Sequence, residues 1–213
     1  MIGVIRSRYG LDSPRVLKAM LQVPREKFTS KLNHLWAYGD GAISIGHGQT
    51  MSQPYTVAFM THLLVTGNKQ QATGDRKLKK ILEIGTGSGY QAAVLSHLVK
   101  EIYTVEIIPE LARKARKVLE ELGYKNVFVK EGSGEVGWLE KAPYDAIIIT
   151  AGVEKVPKSL FEQLNVGGVL VAPVGRGHDK RMTRYIKGKA SGQEGKLKKE
   201  KFDIFHFVPF VEK

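Results

Sequence analysis

The residues with the clearest chemical pattern lie in the middle of the chain, where the segment from Leu82 to Tyr90 reads LEIGTGSGY. Glycine allows positive φ angles and lets the backbone approach a ligand closely. The first turn of a helix also offers unpaired N–H groups and a partial positive charge. A dinucleotide site typically has G-x-G-x-x-G, but here Tyr90 stands where the third glycine would fall. The tighter loop favours a ligand with an amino-acid carboxylate over one with a pyrophosphate.

One acidic residue, Glu106, ends the next predicted strand after this glycine loop. A carboxylate at that place can accept hydrogen bonds from both hydroxyls of a ribose. The glycines alone fit a ligand-free strand-to-helix turn equally well, but together with Glu106 they predict a nucleoside-type cofactor. No Gly-Lys-Ser/Thr triplet follows the loop, so a Walker phosphate loop is excluded.

The elements that must position these residues alternate between strand and helix patterns. The predicted strands are 80–84, 102–106, 126–130, 145–150 and 168–174, and the helices between them are 90–99, 109–122 and 156–164. This order predicts an α/β fold with a Rossmann-like, doubly wound, mostly parallel sheet. Two alternating segments, 181–187 and 202–208, predict antiparallel C-terminal strands. Helices from 14 to about 21 and from about 53 to 64 form an N-terminal helical elaboration.

We interpret the chain as a single domain, 1–213. Residues 1–77 would cap the substrate and cofactor, 78–175 would be the cofactor-binding core, and 176–213 would carry the antiparallel strands. The polar segment 66–77 is read as a linker or exposed loop into the first strand of the core.

Composition narrows the class of protein. The 213 residues are 42% hydrophobic and 25% charged, the balance of an ordinary globular protein. There is no cysteine, which excludes disulfides, thiolate nucleophiles and thiolate metal ligands, and the histidines lack metal-site spacing. No signal peptide is visible and no apolar run approaches the ~20 residues of a membrane span. We therefore expect a cytoplasmic protein without a membrane partner or a metal.

The formal net charge is +12, which could indicate an acidic partner such as nucleic acid. Residues 176–201 hold ten Lys and Arg against three Asp and Glu, so more than half of the excess lies there. Two other basic clusters, 76–80 and 113–117, have no interleaved aromatic residues. We therefore interpret the charge as a solvated surface, and the glycine-rich middle of 176–201 as a hairpin loop.

Four further segments carry a family resemblance. Residues 45–55 read IGHGQTMSQPY, 23–28 read VPREKF, 142–147 read APYDAI and 207–210 read FVPF. Together they resemble the signatures of the protein-L-isoaspartate (D-aspartate) O-methyltransferases, a family of class I methyltransferases that use S-adenosyl-L-methionine. The resemblance extends over essentially the whole chain, and its most specific part is the S-Q-P block.

The resemblance implies an enzyme that transfers a methyl group from S-adenosylmethionine to the free α-carboxylate of L-isoaspartyl residues in damaged proteins and peptides. In the family that ester collapses to a succinimide, and hydrolysis returns part of it to normal aspartate. We expect a monomer with isoaspartyl proteins and peptides as partners and without nucleic acid.

The resemblance also assigns residues. Ser52 maps to the catalytic serine, and the substrate would meet Ser52, His47, Val208 and Val211. The cofactor would be held by Met51, Gln53, Gly85, Thr86, Gly87, Gly89, Glu106, Ile107, Gly132, Ser133 and Gly134. One position departs from the family, because Ser133 stands where an aspartate usually accepts a hydrogen bond from the adenine amino group.

The chemistry asks for few catalytic groups. An α-carboxylate has a pKa near 3.5 and is already an anion at neutral pH, so methylation requires no general base. Ser52 has a second interpretation as the N-cap of the helix near 53–64. His47 could be a ligand or a base, but its place between two glycines favours support of the loop or a contact with the cofactor. Trp36, Tyr38 and Trp138 are read as packing residues, and Asp145 as a residue that closes a strand or caps a neighbour.

Two rival functions remain open. One is a methyltransferase that acts on RNA or another partner of a basic surface, and it predicts salt-dependent binding of nucleic acid. The other is a binding protein that kept the fold after losing cofactor affinity at Ser133. An oxidoreductase is disfavoured by Tyr90 in the glycine loop, and a Ser-His-Asp hydrolase by the lack of a G-x-S-x-G elbow.

Overall fold

The computed structural model describes residues 1–67, 78–188 and 197–210. In these residues the helices are α1 (Ile2–Tyr9), α2 (Pro14–Gln22), α3 (Pro54–Thr66), α4 (Tyr90–Ser96), α5 (Pro109–Glu121) and α6 (Lys158–Glu162). The strands are β1 (Ile43–Gly46), β2 (Gln49–Met51), β3 (Lys80–Ile84), β4 (Glu101–Glu106), β5 (Val127–Glu131), β6 (Tyr144–Ile149), β7 (Leu164–Val174), β8 (Asp179–Lys187) and β9 (Leu197–His206).

Within these ranges the main sheet has seven strands in the order β5-β4-β3-β6-β7-β8-β9. Strands β5, β4, β3, β6 and β7 are parallel to their neighbours, while β8 and β9 add on antiparallel. The sheet order reverses direction at β3, from which the chain first moves outward to β4 and β5 and then crosses to β6. The predicted fold class, a Rossmann-like and mostly parallel sheet with antiparallel C-terminal strands, is confirmed.

Side chains that alternate along the strands build two cores. Ile81 and Ile102 join one core, which α2, α3 and α4 cover. Leu82 and Tyr103, one residue further along the same strands, join the other, which contains Leu160 of α6. Because both faces are buried, the central strands are near-continuous apolar runs, as parallel strands require.

The N-terminal region contains two elements that the sequence patterns did not predict. Helix α1 ends at Gly10, whose φ of 65° is the left-handed conformation typical of a helix C-terminus. Strands β1 and β2 form a hairpin around His47 and Gly48, which have φ angles of 55° and 69°. Positive φ at both turn residues matches the twist of a tight hairpin. The structure therefore gives His47 a role in shaping the turn.

The predicted cap of α3 is wrong. The N-cap of α3 is Gln53 rather than Ser52, and no side chain caps that helix. Ser13 occupies the N-cap position of α2, but its Oγ lies 3.1 Å from Nδ1 of His62 and does not cap the backbone. Local propensity favours serine as an N-cap at both positions. In the folded protein Ser13 instead contacts His62, and Ser52 lies one residue before the cap of α3, in the lining of a groove.

Several boundaries differ from the predictions. Helix α4 ends at Ser96 rather than near 99, and α6 is limited to 158–162 because β7 already begins at Leu164. Strand β9 runs from Leu197 to His206, so it starts earlier and ends earlier than the predicted 202–208. The basic stretch 176–201 is thus strand over much of its length. Residues 68–77 of the expected linker and 189–196 of the expected hairpin loop lie outside the described residues.

The predictions for the three aromatic residues and for Asp145 have different outcomes. Trp138 packs edge-on against Tyr103, with ring centroids 5.3 Å apart, as predicted. Trp36 is 71% exposed and Tyr38 45% exposed, so a packing role for these two is wrong. Asp145 accepts hydrogen bonds from the backbone N–H groups of Lys79 and Lys80, at 2.8 and 3.1 Å, and thereby ties the start of β3 to β6.

None of the helices in the described residues has the length and apolarity needed to cross a membrane.

The packing of β7 generates a stability prediction. Leu170 is fully buried and pairs with Ile147 on one side and Tyr185 on the other. Leu170→Ala should lower the free energy of unfolding by about 2–5 kcal/mol, because it removes apolar contacts and leaves a cavity. Chemical denaturation measures this change. Leu139→Ala, at a residue that is 67% exposed, is the matched control and should change stability by less than about 0.5 kcal/mol.

Candidate active site

A cleft opens where β3, β4 and β6 end at their carboxyl termini, the usual place for ligands in an open α/β sheet. About 560 Å³ of space free of protein atoms lies within it, part of it open to solvent. The cleft is defined by its lining residues, which are Gln49, Thr50, Ile84, Gly85, Gly87, Val105, Glu106, Ile107, Ile108, Gly134, Thr150, Ala151, Val208, Pro209 and Phe210.

The glycine loop has a backbone that other residues could not follow without strain. Gly85, Gly87 and Gly89 have φ angles of 94°, 53° and 89°. A Cβ atom on Gly85 would lie 2.6 Å from Oγ1 of Thr150. Thr150 itself donates to the carbonyls of Ile84 and Gly85, at 3.0 and 2.7 Å, which holds the loop against the end of β6. The loop thus leaves its backbone close to any ligand in the cleft.

Glu106 lies at the end of β4 with its carboxylate held by the backbone. Its Oε2 accepts from the N–H of Gly87 at 2.7 Å, and its Oε1 accepts from the N–H of Ile108 at 3.0 Å. Each carboxylate oxygen can accept a second hydrogen bond. The residue is 5% exposed and lines the cleft, so the remaining lone pairs can receive the two hydroxyls of a ribose, as the sequence predicted.

A second acid, Glu83, lies beneath the loop and was missed by the sequence reasoning. Its Oε2 is 2.6 Å from Oγ1 of Thr104, which in turn is 2.7 Å from Oγ1 of Thr86. Burial raises the pKa of Glu83 to about 8, so the carboxyl group is neutral at pH 7. The chain of three side chains links β3, β4 and the glycine loop. The sequence signal was available, because an acid stands within an otherwise apolar strand.

A groove adjoins the cleft on the side of the N-terminal region, with about 1030 Å³ of space free of protein atoms. The groove is defined by its lining residues, which are Tyr9, Ala42, Thr50, Ser52, Gln53, Tyr55, Thr56, Thr150, Asp203, Ile204, Phe205, His206, Phe207 and Val208. Cleft and groove share Thr50, Thr150 and Val208. The two spaces therefore lie side by side at these three residues.

Ser52 lines the groove, and its backbone is fixed from below by a buried arginine. Nη2 of Arg25 donates to the carbonyl of Ser52 at 2.7 Å, and Nε donates to the carbonyl of Ala37 at 2.7 Å. The guanidinium carbon lies 4.4 Å from the centre of the Tyr90 ring, at the start of α4. Arg25 thereby connects the Ser52 segment with the helix that follows the glycine loop.

The C-terminal segment 207–210 covers the boundary between cleft and groove. The N–H of Gly152 donates to the carbonyl of Val208 at 2.8 Å, and the N–H of Phe210 donates to the carbonyl of Gly152 at 3.1 Å. The ring of Phe210 lies against Gly134, where a Cβ atom would approach it to 2.8 Å. Val208, Pro209 and Phe210 thus line the cleft, while Phe207 and Val208 line the groove.

The structure brings together only part of the predicted set. Gly85, Gly87, Glu106, Ile107 and Gly134 line the cleft, Ser52 and Gln53 line the groove, and Val208 lines both. Thr86 and Gly89 are buried within the glycine loop and line neither the cleft nor the groove. Gly132 lies at the end of β5, where its N–H donates to the carbonyl of Glu106 at 2.9 Å.

The remaining predicted residues lie apart from both spaces. Met51 is buried in the core, and His47 is exposed at the hairpin turn. Oγ of Ser133 accepts from the N–H of Glu135 at 3.3 Å, so its own hydroxyl proton is free to donate. Val211 lies outside the described residues. The sequence reasoning did not select Thr150, which lines both spaces, Tyr9, which lines the groove, or Arg25, which holds the backbone of Ser52.

A doubly wound sheet, a glycine loop and an acid at the end of the next strand define a protein of the Rossmann-like class, and its cleft fits a nucleoside-type cofactor. Similarity to known proteins specifies it further. The sequence profile of the family "Protein-L-isoaspartate(D-aspartate) O-methyltransferase" matches residues 1–213. The chain belongs to this family.

Individual relatives agree with that assignment. The chain is 48% identical to protein-L-isoaspartate O-methyltransferase 2 of Pelobacter propionicus, over 95% of this chain and 84% of the relative. It is 46% identical to protein-L-isoaspartate O-methyltransferase of Geobacter metallireducens, over 96% and 88% of the two chains.

A solved protein-L-isoaspartate O-methyltransferase structure superposes with a TM-score of 0.82 and 30% identity, covering 98% of this chain. This chain spans 64% of that longer structure, a little under two thirds of its length. A Plasmodium falciparum structure in complex with S-adenosyl-L-homocysteine has a TM-score of 0.77 and 21% identity, covering 98% of this chain and 95% of the other, and it supports the fold.

The geometry of Glu106 generates a binding prediction. Glu106→Gln should weaken S-adenosylmethionine binding by about tenfold or more, because a neutral amide forms weaker hydrogen bonds and leaves one of the two backbone N–H groups without an acceptor. Isothermal titration calorimetry measures this affinity. Glu110→Gln, at an exposed residue of the same segment, is the control. Equal affinity in the wild type and in Glu106→Gln would contradict the ribose assignment.

The departure at position 133 generates a second binding prediction. Ser133→Asp adds a charged acceptor beside Gly134 of the cleft and should tighten S-adenosylmethionine binding by about fivefold, since charged hydrogen bonds are stronger than neutral ones. The same titration checks it. Ser30→Asp, at an exposed serine, controls for the added charge. Unchanged or weaker binding in Ser133→Asp would show that the adenine does not depend on this position.

Proposed function

We propose that the chain is a protein-L-isoaspartate O-methyltransferase, which transfers a methyl group from S-adenosylmethionine to the free α-carboxylate of L-isoaspartyl residues in proteins and peptides. The observation that carries the proposal is the junction of the cleft and the groove at Thr50, Thr150 and Val208. Glu106 lies on one side of this junction and Ser52 on the other. The family membership of the whole chain supports the same activity.

The residues of the cleft fit S-adenosylmethionine. Glu106 offers lone pairs for a ribose, and the glycine loop leaves its backbone open to the amino-acid part of the ligand. When bound, S-adenosylmethionine supplies an electrophilic methyl group on a positively charged sulfur. Ile84, Val105 and Ile107 give the cleft an apolar lining. An apolar lining suits a reaction in which opposite charges of sulfonium and carboxylate cancel.

The groove then has to hold a carboxylate in line with the cleft and keep water away. The α-carboxylate is an anion at neutral pH, so no residue is needed to remove a proton. The hydroxyl of Ser52 can orient one carboxylate oxygen with a single hydrogen bond. The segment 207–210 closes the junction from the C-terminal side, which supports the exclusion of water. Positioning supplies most of the rate in such a mechanism.

The test is methyl transfer from labelled S-adenosylmethionine to two peptides that differ only in carrying isoaspartate or aspartate. The wild type should methylate the isoaspartyl peptide alone. Ser52→Ala should lower kcat/KM by about tenfold to a hundredfold, the range expected for one hydrogen bond to a charged group. Ser44→Ala, at an exposed serine outside the groove lining, is the control and should leave the rate unchanged.

Other outcomes separate the rivals. Transfer to both peptides or to neither, by a folded protein that binds S-adenosylmethionine, would contradict the proposed substrate. If the wild type did not bind S-adenosylmethionine but Ser133→Asp did, the cofactor site of the wild type would have lost its function. Salt-dependent retention of RNA by a protein inactive on the isoaspartyl peptide would favour a nucleic-acid substrate.

A further inference from the structure

The residue after Ser52 has an unusually well-fixed side chain. Nε2 of Gln53 lies 2.7 Å from Oδ1 of Asp40, 2.9 Å from the hydroxyl of Tyr9 and 3.4 Å from the carbonyl of Asp40. All three contacts involve the same nitrogen. Gln53 also lines the groove, so its side chain stands between this cluster and the substrate space.

The partners of the nitrogen determine which way the amide points. An ionised carboxylate can only accept hydrogen bonds, so the NH₂ group rather than the carbonyl of Gln53 must face Asp40. Orientations of glutamine amides are settled by such networks. The hydroxyl of Tyr9 donates to Oδ2 of Asp40 at 2.9 Å, which leaves the oxygen of Tyr9 to accept from Gln53. Every donor in this cluster therefore has an acceptor, and the orientation is unique.

The cluster is also held in place mechanically. The rings of Tyr9 and Tyr55 stack with centroids 4.0 Å apart and an angle of 7° between their planes. Tyr55 stacks in turn on Phe205 of β9, at 5.8 Å. Arg8 donates to Oδ2 of Asp40 at 3.0 Å. Helix α1 is thus held beside the groove by the stacking of Tyr9 on Tyr55 and by the hydrogen bonds that Arg8 and Tyr9 donate to Asp40.

Once the nitrogen is used, Gln53 has one group left for a ligand. Among the described residues no donor binds its Oε1. A carbonyl oxygen with free lone pairs is the natural partner of a peptide N–H, and it would repel a peptide carbonyl. A substrate recognised through its backbone rather than through a particular side chain presents such N–H groups on either side of the isoaspartyl residue.

We propose that Gln53 is a specificity-determining residue whose Oε1 accepts a hydrogen bond from a backbone N–H next to the isoaspartyl residue, and that Asp40 and Tyr9 are positioning residues that set its orientation. This inference rests on the proposed function, because it names how the same groove reads its peptide. It also gives α1 a role in the site.

The experiment removes the proposed hydrogen bond first by changing the peptide N–H and then by changing Gln53. Two isoaspartyl depsipeptides carry an ester oxygen in place of the amide N–H, one before and one after the isoaspartyl residue. Wild-type kcat/KM should fall by about tenfold for one of them, mostly through KM. Gln53→Met, which is similar in shape but lacks the acceptor, should show that loss on the amide peptide and no further loss on the same ester. Such coupling is what a direct contact produces.

Asp40 is tested by its effect on amide orientation. Asp40→Asn lets the amide of Gln53 point either way and should raise KM and shrink the difference between amide and ester peptides. Combining Asp40→Asn with Gln53→Glu places a donor against the new carboxylate, which again presents an acceptor to the groove. The double variant should recover the sensitivity to the ester, whereas Gln53→Glu alone sets two carboxylates against each other and should be the weakest. Asp12→Asn, at an exposed acid, is the control.

The outcomes are distinguishable. If the ester effects and the Gln53→Met effect simply multiply at both positions, Gln53 does not contact a substrate N–H and the inference is overturned. A double variant that folds like the wild type but stays insensitive to both esters overturns the role of Asp40. Wild-type protein that methylates neither the amide peptide nor the esters overturns the proposed function itself.

Discussion

The site depends on the buried positive charge of Arg25, which pairs with no carboxylate among the residues that the structure describes. Arg25 is fully buried, and burial lowers the pKa of its guanidinium because water no longer solvates the cation. Two backbone carbonyls and the face of Tyr90 replace that water. These contacts are directional. If the Ser52 segment and the start of α4 moved apart, the contacts would break and the buried cation would be left without partners. One side chain thus sets the distance between groove and glycine loop.

Two glutamates near the glycine loop, Glu106 and Glu83, have different roles because their surroundings differ. Glu106 accepts from two backbone N–H groups and lines the cleft. Glu83 is fully buried and has only Thr104 on one oxygen, so desolvation outweighs its hydrogen bond and raises its pKa to about 8. A neutral Glu83 supports the loop without adding a second negative charge beside Glu106. The charge offered to a ligand in the cleft therefore comes from Glu106.

The sequence predicted the parts of this site that depend on local pattern. The strand–glycine loop–helix unit and Glu106 could be placed because a parallel sheet fixes where the end of one strand lies relative to the next. The contacts of Tyr9 with Asp40 and Gln53 could not, since they join residues 31 and 44 positions apart through a helix with little amphipathic pattern. Local rules also misplaced the cap of α3. Ser is a good N-cap by propensity, but Gln53 takes that position while Ser52 faces the groove.

Ser133 stands where the family usually has an aspartate, and the positions of the other groups in the site explain how this difference can be tolerated. Its hydroxyl oxygen is already used by the N–H of Glu135, and it lies beside the cleft rather than in its lining. The groups that would hold the ribose, and the junction where the methyl group would pass, belong to other strands. A weaker contact to the adenine would therefore change how tightly the cofactor is held, whereas the in-line geometry would still be set by the glycine loop and Ser52. Because the nucleophile is an anion that needs no base, geometry rather than a proton carrier is what the fold must preserve.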